Sequence, residues 1–324
     1  MMNRVMMTLA AAALALPATA AAQAGGTNPC GQLPPGPDCE LTFQAFRAAY
    51  AQTGILAAGG NPVPGVESTR GITLGIIPRT TASLRVSAAR QSLPDLRDET
   101  SGDERSSIAT AIRLGTATRL SEGFSVGPVG GVGAIDLLLD AALLPAAGES
   151  HNAAAAFGAG ARIGLVRETF GTPGVALTGM YRHVGKQEYG HLCPISDVVC
   201  DDPGRGEYSF AVNDASGRLT VGKRLGPVGV LGGVGVDRFS TSGGVIRFYP
   251  ATLEPVLSER DVKRHDTRWS FFGNLSYGLI VGSLVAEAGW MEGGEPNLVI
   301  EGDLGGFEAG KGTPYGSLAL RITL

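Results

Sequence analysis

Residues 317–324 read Ser-Leu-Ala-Leu-Arg-Ile-Thr-Leu, and an apolar side chain occupies every second position, at Leu318, Leu320, Ile322 and Leu324. Side chains two residues apart lie on the same face of a β-strand, so this pattern predicts a strand with one apolar face. The alternation recurs from about residue 70 onward, for example in residues 72–76, 84–88, 157–165, 175–182 and 268–279. The sequence therefore predicts a chain built mainly of two-faced strands.

The connections between these strands alternate in length. Short turns are predicted near residues 78–80, 121–125, 169–174, 225–227 and 280–283. Long polar loops are predicted near residues 91–105, 140–152, 185–206, 240–266 and 292–313. Short turns at one end and long loops at the other, joining strands of about ten residues, are typical of a transmembrane β-barrel. A soluble β-sandwich need not segregate its loops in this way.

The N-terminus has the features of a secretory signal peptide. A short basic start, an apolar run and a small-residue end occupy residues 1–22, with cleavage expected after Ala22. The apolar run is shorter than the ~20 residues that a membrane-spanning helix needs. No later stretch is long and apolar enough to replace it, so we expect no transmembrane helix in the mature chain.

The four cysteines fall into two local pairs, Cys30 with Cys39 and Cys193 with Cys200. In an exported protein this pattern predicts two disulfide loops. The competing interpretation is a metal site formed by Cys193, Cys200 and the nearby His191. The oxidising compartment and the wide spacing favour disulfides, so we predict no metal and no cofactor.

The composition excludes some partners and some classes of protein. There are 26 Lys plus Arg against 30 Asp plus Glu, a net charge of −4, which argues against nucleic-acid binding. Apolar residues make up 44% of the chain, which excludes intrinsic disorder. The 49 glycines, about twice the usual share, disfavour long helices.

After about residue 70 the chain resembles a bacterial outer-membrane β-barrel, and its last residues are similar to the C-terminal assembly signal of that family. Ser317, Ile322 and Leu324 fit this signal, although Ala319 replaces its Gly and Leu324 its terminal aromatic residue. The resemblance implies location in the bacterial outer membrane. It also implies two partners, the outer-membrane lipids and the outer-membrane assembly machinery, which would contact the C-terminal strand. The resemblance is to an architecture, so it transfers no functional residue.

The number of strands depends on the N-terminal part. Eleven strands can be counted back from Leu324, the earliest over residues 70–77, whereas single-chain bacterial barrels have an even number. Residues 45–58 would supply a twelfth strand, but Phe43, Phe46 and Tyr50 have helical spacing. We predict an all-β antiparallel barrel of about twelve strands, with ten as the alternative and the N-terminal part then forming a plug or cap. The predicted units are the signal peptide, an N-terminal segment over residues 23–66 with a disulfide loop and a helix or first strand, and the barrel over residues 67–324.

Ionisable side chains in these strands fall on the face opposite to the apolar one. Closing the barrel points that face into the lumen, because outward positions contact lipid. The predicted lumen-facing residues are Arg85, Arg113, Arg162, Arg182, Arg268, Arg321, Asp136, Asp237 and Glu287. Outward aromatic residues near the strand ends, predicted to form interfacial girdles, are Trp269, Trp290, Tyr208 and Tyr277.

Two functions fit this pattern. They differ in whether the lumen is open and in what the six arginines, which outnumber the three acids, interact with. The first is a passive or weakly selective pore for small solutes of unknown identity, anions among them, because the surplus positive charge would attract anions. The alternative is a closed structural or surface-display barrel whose arginines pair internally and whose loops bind a partner. The four histidines lie in or beside the long loops, and no catalytic motif accompanies them, so we predict no enzymatic activity.

Overall fold

The computed structural model describes residues 29–31, 37–66, 79–96, 104–126, 129–146, 150–192, 206–249, 257–293 and 311–323. Several predicted features lie outside these residues: the signal peptide, the strand over residues 70–77, the Cys193 to Cys200 disulfide and the terminal Leu324. Cys30 and Cys39 form a disulfide, which confirms the first predicted pair.

One long helix precedes the strands. Helix α1 spans Pro37–Ala58, with Pro37 in its first turn and the carboxylates of Asp38 and Glu40 near its N-terminus. Pro is favoured at the start of a helix, and acidic groups there interact favourably with the helix dipole. The helix ends at a Gly pair, where Gly60 adopts the left-handed conformation with φ of 84°. Among the described residues, no helix is both long and apolar enough to cross a membrane.

Ten antiparallel strands close into a ring in the part of the chain that the structure describes. The barrel strands are β1 (Thr80–Pro94), β2 (Glu104–Ser121), β5 (Ala134–Leu144), β6 (Ala154–Val166), β7 (Gly174–Gly190), β8 (Gly206–Leu225), β9 (Val228–Phe248), β11 (His265–Gly278), β12 (Ser283–Met291) and β13 (Thr313–Thr323). Each strand pairs with its neighbours in the chain, and the ring closes where β13 pairs with β1, for example Leu320 with Leu84. The alternative of ten strands is therefore confirmed, and the count of twelve is wrong.

The predicted segregation of short and long connections is present. At one end, β8 and β9 are joined by a two-residue turn, and β11 and β12 are joined by residues 279–282. The same end carries a small hairpin of β3 (Phe124–Val126) and β4 (Val129–Val132) between β2 and β5. The opposite end carries the long loops, and there a short strand β10 (Ser258–Val262) pairs with the end of β9. We call these the short-turn end and the long-loop end.

The outer face of the ring is apolar on every strand. Exposed aliphatic side chains, one from each barrel strand in ring order, are Leu84, Leu114, Leu137, Ile163, Leu177, Val221, Val230, Leu275, Leu284 and Leu320. A continuous exposed apolar band around a closed ring is the surface that a transmembrane barrel presents to lipid. Closure also leaves no strand edge of the described ring unpaired. An open edge facing lipid would leave its backbone N–H and C=O groups without hydrogen bonds.

Two of the predicted girdle residues, Trp290 and Tyr277, are exposed on this outer face, whereas Tyr208 is buried. Tyr208 stacks on Tyr189 with ring centroids 5.1 Å apart. The register between β8 and β9 shifts between Ser209 and Ala211. The extra residue lies in β9, so β8 keeps its alternation, and Tyr208 points inward together with Phe210 and Val212. The prediction of an outward Tyr208 is therefore wrong, because it assigned the opposite parity to this strand.

Helix α1 lies inside the ring. It contacts β1 and β2 on one side and β7, β8 and β9 on the other. Residues 41–61 are all buried, although the segment includes polar side chains. At 1.5 Å per residue, the 22 residues of α1 extend roughly 33 Å, which matches the ~30 Å hydrocarbon thickness of a bilayer. Residues 45–58, the predicted twelfth strand, therefore form the second half of a helix along the lumen.

Candidate functional site

The C-terminal end of α1 is held by arginines of the barrel wall. Arg113 donates hydrogen bonds to the carbonyl oxygens of residues 56–57, and its Nη2 lies 3.1 Å from the first of them. Arg218 donates to the carbonyl oxygens of Ala58 at 3.0 Å and Gly60 at 3.2 Å. The last carbonyl groups of a helix have no partner within the helix and carry its partial negative charge. These two guanidinium groups satisfy them and oppose that charge.

A second pair of wall residues holds the segment that follows the helix. Arg85 donates to the carbonyl oxygen of Asn61, and the Glu287 carboxylate accepts the Asn61 backbone N–H at 3.1 Å. Arg85 Nη1 and Glu287 Oε1 are 3.7 Å apart and both side chains are buried. A Cβ atom at Gly60 would overlap the Glu287 carboxylate, so only glycine fits this close approach at a positive φ.

The N-terminal segment runs through the lumen in one direction. Near the start of α1, Thr42 packs so closely on Gly206, which follows a long loop, that a Cβ at Gly206 would overlap it. At the other end, Arg321 of the last strand donates to the carbonyl oxygens of Pro64 and Val66, each at 3.2 Å. The chain thus enters the lumen at the long-loop end and reaches the short-turn end at residue 66.

Aromatic packing fixes the half of α1 near the long loops. The ring of Phe46 lies edge-on to Phe210 of β8 with centroids 5.4 Å apart, and Tyr50 contacts both rings. Thr53 donates a 2.7 Å hydrogen bond to Gln187 of β7. Apolar contacts therefore anchor one half of the helix, and charged caps anchor the other.

Buried ion pairs link neighbouring strands around the lumen. Asp136 is shared by Arg162 at 2.5 Å and Arg119 at 2.9 Å. The other buried pairs are Arg182 with Asp140 at 2.9 Å and with Asp214 at 3.3 Å, Arg218 with Asp237 at 2.5 Å, and Arg268 with Asp266 at 2.7 Å. Each pair neutralises charge that would otherwise be buried alone. The arginines outnumber the acids, and guanidinium groups that lack an acidic partner among the described residues donate hydrogen bonds to backbone carbonyl oxygens of the N-terminal segment.

Of the nine predicted lumen residues, eight are buried and Arg321 is partly buried. The pairs that come together among them are Arg85 with Glu287 and Arg162 with Asp136. Arg113 and Arg321 hold the N-terminal segment, and the remaining three pair with residues outside the predicted set.

Arg119, Asp140 and Asp266 pair with predicted lumen residues but were not themselves predicted. Sequence reasoning also missed Arg218 and Asp214. Both lie on β8, where Arg218 and Thr220 alternate with the apolar Leu219 and Val221. That alternation was a usable signal for Arg218. The adjoining outward positions are Ala215 and Gly217, so the apolar face is too weak in this stretch to reveal the parity.

Little space remains in the lumen near the short-turn end. A cavity of about 30 Å³ is lined by Val63 of the N-terminal segment and by Arg119, Asp136, Arg162 and Arg321. This is room for about one water molecule. The described part of the lumen is therefore filled by the helix, its following segment and the charged wall.

The histidines within the described residues lie at the long-loop end. His151 Nε2 is 2.7 Å from the Gly190 carbonyl oxygen, and His183 Nδ1 is 2.7 Å from Asn213 Oδ1. The His151 and His191 rings are 6.4 Å apart. In these contacts the partners of the His151 and His183 rings are a backbone carbonyl oxygen and a side-chain amide oxygen.

No protein-family model matches the sequence, and no curated protein matches it. Solved structures that it resembles include the translocator domain of the autotransporter NalP from Neisseria meningitidis, with 11% identity over 85% of this chain and 96% of that chain and a TM-score of 0.42. The outer membrane protease OmpT from Escherichia coli shares 12% identity over 79% of this chain and 100% of that chain, with a TM-score of 0.36. Ail, the attachment invasion locus protein of Yersinia pestis, shares 7% identity over 77% of this chain and 100% of that chain, with a TM-score of 0.28. The closed ring of ten two-faced strands and its apolar exterior make this chain a β-barrel of the outer-membrane type.

Proposed function

We propose that this protein is a closed, non-catalytic outer-membrane barrel that displays its N-terminal segment and long loops at the cell surface and conducts no solutes in its resting state. The observation that carries this proposal is the capping of the luminal helix by wall arginines. The residues that would have made the lumen attractive to anions are directed at helix carbonyls and buried acids instead.

The energetics favour a helix that stays in place. A cation at a helix C-terminus contributes about 0.3 to 1 kcal/mol at an exposed site and up to about 2 kcal/mol where it is partly buried. Arg113 and Arg218 both act from buried positions, and each is bonded to two carbonyl groups. Expelling the helix would also break the packing of Phe46 and Tyr50 on β8. An open lumen would therefore leave both apolar and charged groups without partners.

The direction of the helix supports display at the surface. In outer-membrane barrels the short turns lie in the periplasm and the long loops outside the cell. The disulfide between Cys30 and Cys39 lies at the start of α1, which is at the long-loop end. Cys30 would then lie outside the cell, tied to the start of α1 by this disulfide.

Conductance in a planar bilayer tests whether the barrel is closed. We expect negligible single-channel conductance for the wild type and a clear increase for the double variant Arg113→Ser, Arg218→Ser, in which the helix loses its caps. The matched control is Arg247→Ser, because the Arg247 side chain is partly exposed at the long-loop end and pairs there with Glu207 and Glu259 rather than with the helix. A steady wild-type conductance that the double variant leaves unchanged would contradict the proposal.

Epitope tags test the direction of the chain. One tag is inserted just after the signal peptide, and the control tag is inserted in the two-residue turn between β8 and β9. On intact cells, antibody should label the first tag and not the second, and both should be labelled after the outer membrane is permeabilised. Labelling of the N-terminal tag only after permeabilisation would exclude surface display.

We also infer that the last strand is recognised by the outer-membrane assembly machinery. Ile322 lies on the outer face near the short-turn end of β13. Ile322→Asp places a charge toward lipid at a direct cost of about 0 to 1 kcal/mol near an interface. The control is Ile108→Asp, which makes the same change on the outer face of β2 near the long loops. A stronger assembly defect for Ile322→Asp than for the control would support recognition, and equal effects would argue against it.

A further inference from the structure

A groove on the outer wall of the barrel carries unpaired positive charge. It has a volume of about 380 Å³, within the range of small-molecule sites, and it lies across β7, β8, β9 and β11. The residues that line it are Tyr181, Asn213, Ala215, Arg238, Ser240, Lys263, Arg264 and His265. Four of these residues are basic, and none is acidic.

The register of the strands places this groove at one level of the barrel. Tyr181, Ala215, Arg238 and Thr267 are successive partners across four strands, so they form one outward row. The next row toward the long loops consists of His183, Asn213, Ser240 and His265. Lys263 lies beyond the second row, just before β11 begins. The cationic side chains thus come from β9 and the start of β11, while β7 and β8 supply uncharged residues of the same two rows.

Apolar wall begins directly beside these rows on the side of the membrane. The outward residues there include Leu177 on β7, Val234 on β9 and Phe271 on β11, all exposed. Tyr181 itself is 57% exposed, as expected for an aromatic residue at a membrane interface. The groove therefore borders the hydrocarbon band at the level of the lipid headgroups.

Three cations of the groove have no competing partner among the described residues. Arg238 and Lys263 are exposed, and His265 is half-buried. The structure gives these three side chains no ion pair and no side-chain hydrogen bond among the described residues. Arg264 differs, because its guanidinium lies over the Phe43 ring of α1 at 5.7 Å from the centroid. Arg238, Lys263 and His265 are thus free to bind an anion from outside.

We propose that this groove binds the phosphorylated headgroup of a lipid in the outer leaflet, with the acyl chains lying along the apolar wall beside it. Arg238 and Lys263 would contact phosphate oxygens, and His265 would donate a hydrogen bond to them. A free anion would use the charges alone, whereas a lipid also uses the neighbouring apolar strands. The proposal concerns the outer wall, so it holds whether the lumen is open or closed.

The test uses the full mature chain, purified in detergent, with lipid A as the probe, a glucosamine lipid that carries phosphate groups. Native mass spectrometry measures how much protein retains a bound lipid molecule across a titration. Cations at a membrane surface each strengthen binding to anionic lipid by about fivefold, so Arg238→Gln, Lys263→Gln should weaken retention by about 25-fold. Arg238→Lys, Lys263→Arg keeps both charges and should retain binding.

The matched control is Arg224→Gln, which removes an exposed cation at the short-turn end of β8 and should leave retention unchanged. Heat-modifiable mobility on gels verifies that every variant is folded. Displacement of lipid A by millimolar inorganic phosphate would show a site for free anions and overturn the proposal. Equal retention by wild type and the double Gln variant, or equal loss in the Arg224→Gln control, would overturn it as well.

Discussion

Replacing Arg218 with Met tests the cap and its ion pair together. Arg218 belongs to β8, and its side chain, which is 1% exposed, reaches the end of α1. Its guanidinium pairs with Asp237 at 2.5 Å and donates to the carbonyl oxygens of Ala58 and Gly60. Methionine keeps much of the volume of the side chain but none of these bonds. Asp237, which is fully buried, then loses its charge partner.

The size of the effect follows from that burial. Removing one partner of a buried ion pair costs about 3 to 5 kcal/mol, because the other charge is left uncompensated. The double variant Arg218→Met, Asp237→Leu removes both charges. What remains is the cost of the two unsatisfied helix carbonyls, about 1 to 3 kcal/mol for each, which the single variant bears as well. The single variant should therefore be less stable than the double one.

Denaturant unfolding in lipid vesicles measures this order, followed by the fluorescence of Trp269 and Trp290. Arg247→Met is the matched control, since Arg247 pairs with acids at an exposed site and should cost no more than about 1 kcal/mol. If Arg218→Met unfolds like the wild type, or if the double variant is less stable than the single one, the cap and the buried pair do not stabilise the barrel as described.

Three further predictions follow from other contacts. Gly54→Val should lower the thermal stability of the barrel, because even a Cβ at Gly54 would lie 2.6 Å from the Phe239 ring. The control is Gly179→Val, which should be tolerated because a Cβ there meets nothing within 4 Å. Equal melting temperatures for the two variants would contradict this packing. Arg162→Met should destabilise the barrel less than Arg218→Met in the same unfolding assay, because Asp136 keeps Arg119 as a partner, and a larger loss would refute the shared pair. Reduction of the Cys30 to Cys39 disulfide should lower the denaturant stability of the barrel by less than about 3 kcal/mol, because the bond closes a loop with a sequence separation of only 9; a larger loss would show that the loop supports the ring.

Much of the barrel could be predicted from the sequence because strand alternation is a local property. The two-faced pattern can be recognised in residues 317–324 without any other part of the chain. The lengths of the connections then indicate which end of each strand carries the short turns and which the long loops. The strand count failed at residues 45–58, where the rule of even strand number favoured another strand. The helical spacing of Phe43, Phe46 and Tyr50 was the better guide, because a helix in the lumen satisfies its own backbone and needs no partner strand.

The partners of the luminal arginines could not be predicted in the same way. Parity assigns Arg113 to one face of a strand, but the Ala57 carbonyl that it binds lies 56 residues earlier in the chain. That contact depends on where the helix ends within the ring. Tyr208 shows the other limit, since it shares its face with Phe210 and Val212, and this apolar row resembles a lipid-facing one although its rings pack on the luminal helix.

The position of α1 constrains the order of events during assembly. Its residues contact β1 and β2 as well as β7, β8 and β9, which become neighbours around it only when β13 meets β1. If the seam formed first, a segment of this length, with a disulfide loop at its outer end, would have to pass through a ring that it fills. We therefore expect the ring to close around the segment, so that under the proposed topology placement of the helix and sealing of the barrel are a single event for each molecule.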